Sequence, residues 1–269
     1  MLLTDHPAWE ERPGHGLVRV VRSGPGVWLA SWNAGVLDLR CLDGAEDRKP
    51  AMSEAHPEDL PAKTPAELRT ALTERGPVRR LTNPDLWDAI TTAILRQVVQ
   101  AGSAKTKYRR WTTSYGISYA SAAGTVHTVP SPAVVLQLSD DSFDAVGVAF
   151  NRKKLRSAAT DYAERGDGWH DLPAAELVTA LTTVSGIGPW SARAAAADYT
   201  GDYSVYPHSD LAVRTWARKA APGVQWPEDD KVFGAEWEAS AGSARQLHTL
   251  TSLTLAWGIH APCPAGQSA

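Results

Sequence analysis

The segment that most restricts how this chain can fold is ELVTALTTVSGIGPWSARAAAADY, from Glu176 to Tyr199. Leu177, Leu181 and Val184 recur at helical spacing before the glycines, and an alanine-rich run follows them, so the pattern is helix, tight turn, helix. Gly186 and Gly188 permit the backbone angles that a tight turn requires. Pro189 suits the first position of a new helix, whose opening amides have no intrahelical partner and can hold an anion. Three uses of such a turn compete. A dinucleotide loop needs a preceding strand and a third glycine, whereas the approach here is helical and Ser191 stands in the third place. The other two are a plain connection between helices and a hairpin that grips a nucleic-acid backbone with amides.

The rest of the chain supplies helices for this hairpin to pack against. Residues from about Leu17 to Leu42 read as strands, LVRVVR, GVWLASW and VLDLRCL, separated by the turn signals SGPG and NAG. DGAEDRKPAMSEAHPEDLPAK then reads as a polar, aperiodic linker, so residues 1–62 form a β-containing segment with its linker. From residue 63 the pattern is helical to the end. TPAELRTALTERG opens it, with Thr64 as N-cap, Pro65 at the first helical position and Gly76 as stop. NPDLWDAITTAILRQVVQAG follows an Asn-Pro cap, and SAKTKYRRWTTSYG continues as a helix with a basic exposed face. Short helices follow in SPAVVLQL, DSFDAVGVAF, RKKLRSAATDYAERG, PAAELVTALTTVSG, WSARAAAADYTG and HSDLAVRTWARKAA, then a long buried one in ARQLHTLTSLTLAWGIH. The fold class is mainly α with a small β element in front.

Composition narrows the function classes. With 269 residues the chain suffices for one large or two modest domains, and a net charge of −3 excludes coating nucleic acid by bulk charge. It leaves room for positive charge gathered on one face. No apolar run approaches the roughly 20 residues that span a bilayer, so no membrane partner is expected. The N-terminal MLLTDHPAWEERPG lacks the basic and apolar regions of a signal peptide, which points to the cytoplasm. Cys41 and Cys263 stand far apart without Cys-x-x-Cys spacing, which points to a reducing compartment and no iron–sulfur or zinc site.

Asp210 lies twenty-two residues beyond Gly188, in YSVYPHSDLAVRTWA. Read alone, it is an N-cap for the helix LAVRTWARKAA or an acid placed for chemistry. Hairpin, Gly/Pro-containing loop and aspartate in this order resemble the helix-hairpin-helix/Gly-Pro-Asp (HhH-GPD) superfamily of DNA glycosylases. Within it the chain looks most like the 3-methyladenine DNA glycosylase II branch. PDLWDAITTAILRQVVQAGSA resembles the family's helix-plus-Gln segment, and SPAVVLQLSDDSFDAVGVAFNRKKLRSAA its next helix pair. The resemblance extends over about residues 77 to 257.

That resemblance implies a two-lobed helical glycosylase domain over residues 63–269, with the active cleft between its lobes. It implies hydrolysis of the N-glycosidic bond of a damaged, alkylated purine in double-stranded DNA, leaving an abasic site. Asp210 falls at the catalytic position, where a fixed carboxylate stabilises positive charge developing on the sugar and orients the attacking water. Relatives that also nick the strand carry a lysine two residues after the second hairpin glycine, and that amine attacks the sugar. Trp190 stands there instead, implying a monofunctional enzyme and a ring that stacks on an electron-poor base.

The target base must be flipped out of the stack, and the resemblance makes Val98, after Gln97, the wedge that fills the gap. Ser185, Gly186, Ile187 and Gly188 would hold the DNA backbone, with Arg193, Arg214 and Arg218 and the stretches KTKYRR (Lys105, Lys107, Arg109, Arg110) and RKKLR (Arg152 to Arg156) as basic candidates. The carbonyls of Thr182, Val184 and Ile187 would hold a monovalent cation, Na+ or K+, when DNA is bound. No other cofactor is implied, and the expected form is a monomer.

The chain also departs from the branch. Ala194 replaces a frequent second aromatic, Ser185 replaces a proline, the front β element is shorter, and AEWEASAGSARQ lacks the Trp-x-Pro-Trp-Arg pattern that precedes the branch's last helix. Two other functions therefore stay open at the level of sequence. One is a glycosidase of the same fold acting on another lesion or a nucleoside-like small molecule. The other is a non-catalytic protein that binds DNA through the hairpin.

Overall fold

The structure, a computed structural model, describes residues 1–97 and 101–260. In chain order the elements are β1 (Glu10–Arg12), β2 (Gly16–Ser23), β3 (Gly26–Asn33), β4 (Val36–Asp43), β5 (Met52–Ala55), α1 (Ala66–Thr73), β6 (Val78–Leu81), α2 (Leu86–Leu95) and α3 (Ala101–Tyr115). There follow β7 (Ser118–Ser121), β8 (Gly124–His127), α4 (Pro132–Gln137), α5 (Asp140–Ala145), α6 (Arg152–Arg165), α7 (Ala174–Thr182), α8 (Pro189–Thr200), α9 (Leu211–Ala220), α10 (Asp230–Ser240) and α11 (Ala244–Ile259). The fold is mainly α with a small N-terminal sheet, as the hydrophobic pattern indicates. Among the described residues no helix is long and apolar enough to cross a membrane.

The chain divides into two compact units, each assembled from separated stretches. One comprises Met1–Asp5, Ser53–Arg80 and the chain from Pro207 on, and the other His6–Met52 and Leu81–Tyr206.

In the larger unit β1 to β4 form an antiparallel sheet in sequence order. The β3–β4 turn places Ala34 and Gly35 at φ +48° and +84°, the left-handed pair whose twist suits a two-residue hairpin. Val18, Val20, Val27 and Leu29 of this sheet pack with Ala123 and Val126 of the β7–β8 hairpin. The helical core gathers Trp87, Ile90 and Ile94 of α2, Trp111 of α3, Phe143 of α5, Leu155 of α6, Leu177 and Leu181 of α7, and Ala192, Ala194, Ala195 and Ala196 of α8. Small side chains along α8 let its backbone approach its neighbours closely.

In the smaller unit Leu68 and Leu72 of α1, Val213 and Ala217 of α9, Phe233 and Trp237 of α10 and Leu250 and Leu253 of α11 are buried. Thr249 to Ala256 of α11 are all buried, as the sequence pattern of that long helix predicts. Trp226, Phe233 and Trp237 form an aromatic cluster with centroids 5.4 to 6.1 Å apart, in which Phe233 stacks on Trp237, and the Trp237 indole N–H donates to Thr251 Oγ1 at 3.1 Å.

Several local expectations change. The stretch expected to be only linker contains β5, which ladders with β6; a polar strand of four residues carries no periodic signal. Helix α1 has Pro65, not Thr64, at its N-cap position, and Thr64 is buried. The cap of α2 is Asp85, whose carboxylate accepts from the Asp88 amide at 3.1 Å, while Asn83 turns inward to donate to Asp198 at 2.8 Å. The β7–β8 hairpin and α10 were not expected; the hairpin strands have four residues each, and the hairpin's apolar Ala123 and Val126 find partners far off in sequence, on β2 and β3.

Candidate functional site

The hairpin expected at 181–190 is present. Helix α7 ends at Thr182, the turn runs through Ser185 and Gly186, and Gly188 is the N-cap of α8 with Pro189 in its first position. Only Gly186 needs to be glycine for its backbone, at φ +85°. Gly188, expected to need the same freedom, lies at φ −83° and ψ 175°, an extended conformation open to any residue. What Gly188 contributes is space, for a Cβ built on it meets nothing within 4 Å. Ser185, Gly186, Gly188 and Pro189 are exposed, while Val184 and Ile187 anchor the turn in the core at 2% and 5% exposure. The Val184 carbonyl accepts from the Ile187 amide at 3.0 Å, which closes the turn.

Gln97 braces this turn from another part of the chain. Its amide nitrogen donates to the Gly186 carbonyl at 3.4 Å and to the buried Ser191 hydroxyl, and its carbonyl accepts from Lys154 of α6. The Lys154 stem lies so close that a Cβ on Gly186 would come within 2.7 Å of its Cγ. The structure therefore brings Gln97, Gly186, Ser191 and Lys154 together. Val98, the expected wedge, lies outside the described residues, as does Cys263.

Trp190 is half-buried in the first turn of α8 and packs on the helical core. The Arg96 guanidinium carbon sits 5.8 Å from its ring centroid, a cation–π arrangement. Ala194 is 4% exposed inside the same core, so an aromatic at that position would have to displace packed neighbours.

Asp210 belongs to the smaller unit and heads α9. Its carboxylate accepts from the Ala212 amide at 2.7 Å and its own amide donates to the Pro207 carbonyl at 2.9 Å. The capping role is thus present, and it occupies one lone pair of a half-exposed carboxylate. Arg214 folds back onto this loop, with Nε donating to the Ser209 carbonyl at 3.0 Å. His208, 1% exposed, pairs through Nδ1 with Glu238 at 2.9 Å and secures the loop from inside. Arg193 is half-buried on α8.

The basic stretches divide by partner. Arg152 and Arg156 are engaged by Asp140 and Asp144, Arg218 by the Pro227 carbonyl, and Arg109 by the Trp9 carbonyl. Lys105, Arg110 and Lys153 are exposed and Lys107 is half-buried. Sequence reasoning missed Phe150. It is 68% exposed, with the Lys154 ammonium 4.7 Å from its ring centroid, so an aromatic surface adjoins the braced hairpin. The only sequence signal was a lone phenylalanine beside the RKKLR run.

A scan against family models finds no match, and a sequence search of curated proteins finds none. Comparison with solved structures does find likenesses. An 8-oxoguanine glycosylase/lyase of Clostridium acetobutylicum, bound to double-stranded DNA with cytosine opposite 8-oxoguanine, superposes with a TM-score of 0.68 at 14% identity, over 94% of this chain and 88% of that one. A 3-methyladenine DNA glycosylase of Archaeoglobus fulgidus gives 0.69 at 15%, over 94% and 90%. The protein MBOgg1, in complex with a low-affinity DNA ligand, gives 0.70 at 16%, over 94% and 89%. Together with the hairpin and its flanking helices, these likenesses over nearly the whole chain establish that the protein has the fold of the helix-hairpin-helix DNA glycosylases.

Proposed function

We propose that the protein is a monofunctional DNA glycosylase that hydrolyses the N-glycosidic bond of alkylated purines in duplex DNA. The observation that carries this reading is the braced hairpin. It is an exposed glycine turn feeding the N-terminus of α8, held from behind by Gln97 and Lys154. A turn fixed in this way can meet a phosphate without first losing conformational freedom. The carbonyls of Thr182, Val184 and Ile187 lie on the same turn and would hold Na+ or K+ there. The Val184 oxygen keeps a lone pair beyond its bond to Ile187.

In this reading Asp210 faces the sugar of a flipped nucleotide, stabilises the cationic transition state and orients water. Trp190 supplies no nucleophile and stacks on the base. Its engagement with Arg96 supports that role, because a ring that attracts a guanidinium also attracts a cationic alkylated purine. Phe150 and Lys154 would extend the DNA-binding surface, and the acting form is a cytoplasmic monomer. The fold likeness to 8-oxoguanine enzymes favours one second reading, the same hydrolysis on an oxidised purine.

The test is incubation with duplexes carrying 3-methyladenine, 7-methylguanine, hypoxanthine or 8-oxoguanine, with alkali used to reveal abasic sites. Release from the methylated duplexes is the expected result, and release from 8-oxoguanine alone would favour the second reading. Borohydride should trap no covalent adduct, and a trapped adduct would show an amine nucleophile and end the monofunctional assignment. Binding without release of any base would leave only a DNA-binding protein.

A further inference from the structure

Within the larger unit a cavity of about 240 Å3 lies between β1, β2, α3 and β8. Arg12, Arg19 and Arg109 line it together with Tyr108, Thr112, Thr113 and His127, and Glu10 is the one carboxylate in its wall. Arg19, in the middle of β2, is 1% exposed. Its Nε, Nη1 and Nη2 are all buried and have no hydrogen-bond partner among the described residues, and the same holds for Nε of Arg12 and Nε of Arg109. Buried polar atoms are nearly always hydrogen-bonded, and a buried charge is costly unless it is both paired and hydrogen-bonded.

The pairing available to Arg19 is incomplete. Its nearest carboxylate oxygen is Asp88 Oδ2, 3.7 Å from Nη2 and too far for a hydrogen bond. Asp88 is already committed to other donors, accepting from the Tyr108 hydroxyl at 2.9 Å, Asn83 Nδ2 at 3.2 Å and Thr92 Oγ1 at 3.3 Å. Burial also pushes the Asp88 carboxyl up to about 7, against the pull of Arg19, so its countercharge is partial near neutrality. Glu10 answers Arg12 instead, with Nη2 and Oε2 2.7 Å apart.

The geometry points to a binding site for a small phosphate-bearing anion in this cavity, with Arg19 at its base and Arg12 and Arg109 closing on it from β1 and α3. Guanidinium forks match carboxylate and phosphate oxygens alike. Three guanidinium groups brought to one cavity by three different elements suit the four tetrahedral oxygens of a phosphate better than the two coplanar oxygens of one carboxylate. The volume is below the 300 Å3 or so at which drug-sized pockets begin, so the guest is inorganic phosphate or a small phosphomonoester. Half-exposed Arg12, Glu10 and His127 and exposed Thr113 form its way in. The site is separate from the glycine hairpin and independent of the glycosylase reading.

Thermal unfolding and calorimetric titration with inorganic phosphate, against chloride and succinate at equal ionic strength, test the site without any measure of activity. Phosphate is expected to raise the melting temperature with one-site mass action, where chloride and succinate do not. Arg109→Gln and Arg12→Gln, at the partly exposed rim, should each weaken phosphate at least about tenfold, and Arg19→Met should abolish its effect. Exposed Arg110→Gln should bind as the wild type does. If Arg19→Met fails to fold, the two rim variants still decide the matter. Tighter binding of glycerol 3-phosphate than of phosphate would identify the guest as a monoester, and the reverse order as the free ion. The site is disproved if phosphate acts no differently from chloride, if succinate alone stabilises, if both rim variants retain wild-type affinity, or if a short DNA duplex displaces the phosphate.

Discussion

At the scale of single residues, Asp210 caps α9, and the proposed function gives it a second role that substitution can separate from the first. Asparagine caps a helix about as well as aspartate, while alanine in place of either costs about 1 kcal/mol. Asp210→Asn should therefore melt close to wild type and yet release base at least about a hundredfold more slowly, since it keeps the bond from Ala212 and loses the charge. Asp210→Ala should lose both. Melting curves and single-turnover base release measured on the two variants make the comparison. Equal rates for Asp210→Asn and wild type would reduce this residue to a cap. The residue scale is also where the sequence is most legible. Gly186 stands out by identity, because a tight turn asks for glycine, while Trp190 and Asp210 take their meaning from the family resemblance, as an indole where strand-nicking relatives carry a lysine and an acid after a Gly/Pro-containing loop.

At the scale of elements, the α7–α8 hairpin depends on a brace that spacing does not announce. Gln97 and Lys154 lie far from the glycines in sequence and reach them only when α2 packs against both α6 and α8. Gln97→Leu removes the bonds to Gly186 and Ser191 and leaves Lys154 without its acceptor. At about 1 kcal/mol per hydrogen bond the variant should lose a few degrees of melting temperature and most of its DNA affinity. Full affinity by fluorescence anisotropy would show that the turn holds its shape unaided. A second element-scale prediction concerns α11 in the smaller unit, where a Cβ on Gly258 would come within 2.1 Å of the Trp216 ring of α9. Gly258→Ala should destabilise by about 1 to 3 kcal/mol as that indole is forced from its rotamer, although alanine is the better helix former. A melting temperature above wild type would refute the contact.

At the scale of the whole molecule, the larger unit is tied together by a polar network in its interior. His6 Nε2 lies 3.1 Å from Thr92 Oγ1, 3.5 Å from Asp88 and 3.6 Å from Asp198, and Asn83 bonds both carboxylates. The N-terminal segment, α2 and α8 thus share one set of charges. Burial, more than the neighbouring Asp85 and Asp198, raises the Asp88 carboxyl from its ordinary 3.8 to about 7, and Arg19 and the Tyr108 hydroxyl oppose the rise. An acid raised on folding contributes stability that is full below its unfolded value and is lost as pH climbs through its folded one. Asp88 should therefore lower stability progressively between about pH 4 and pH 7. Melting temperatures across that window should show a weaker decline for Asp88→Asn than for wild type, and parallel curves would remove Asp88 as the source.

Local structure is written in the order of the residues. Helical spacing, alternating strands and turn glycines can all be read from neighbours a few residues apart, because backbone geometry repeats over that distance, while the hairpin–aspartate order over twenty-two residues was legible through the family resemblance. The mainly α fold and the glycine hairpin followed from those signals. Tertiary structure alone decided which charges are buried, what braces the hairpin, that Ala194 belongs to the core, and that two units are each assembled from separated stretches. It also left the Arg19 guanidinium buried without a hydrogen-bond partner among the described residues. Burial and pairing depend on residues separated by tens or hundreds of positions, and no local period records such encounters.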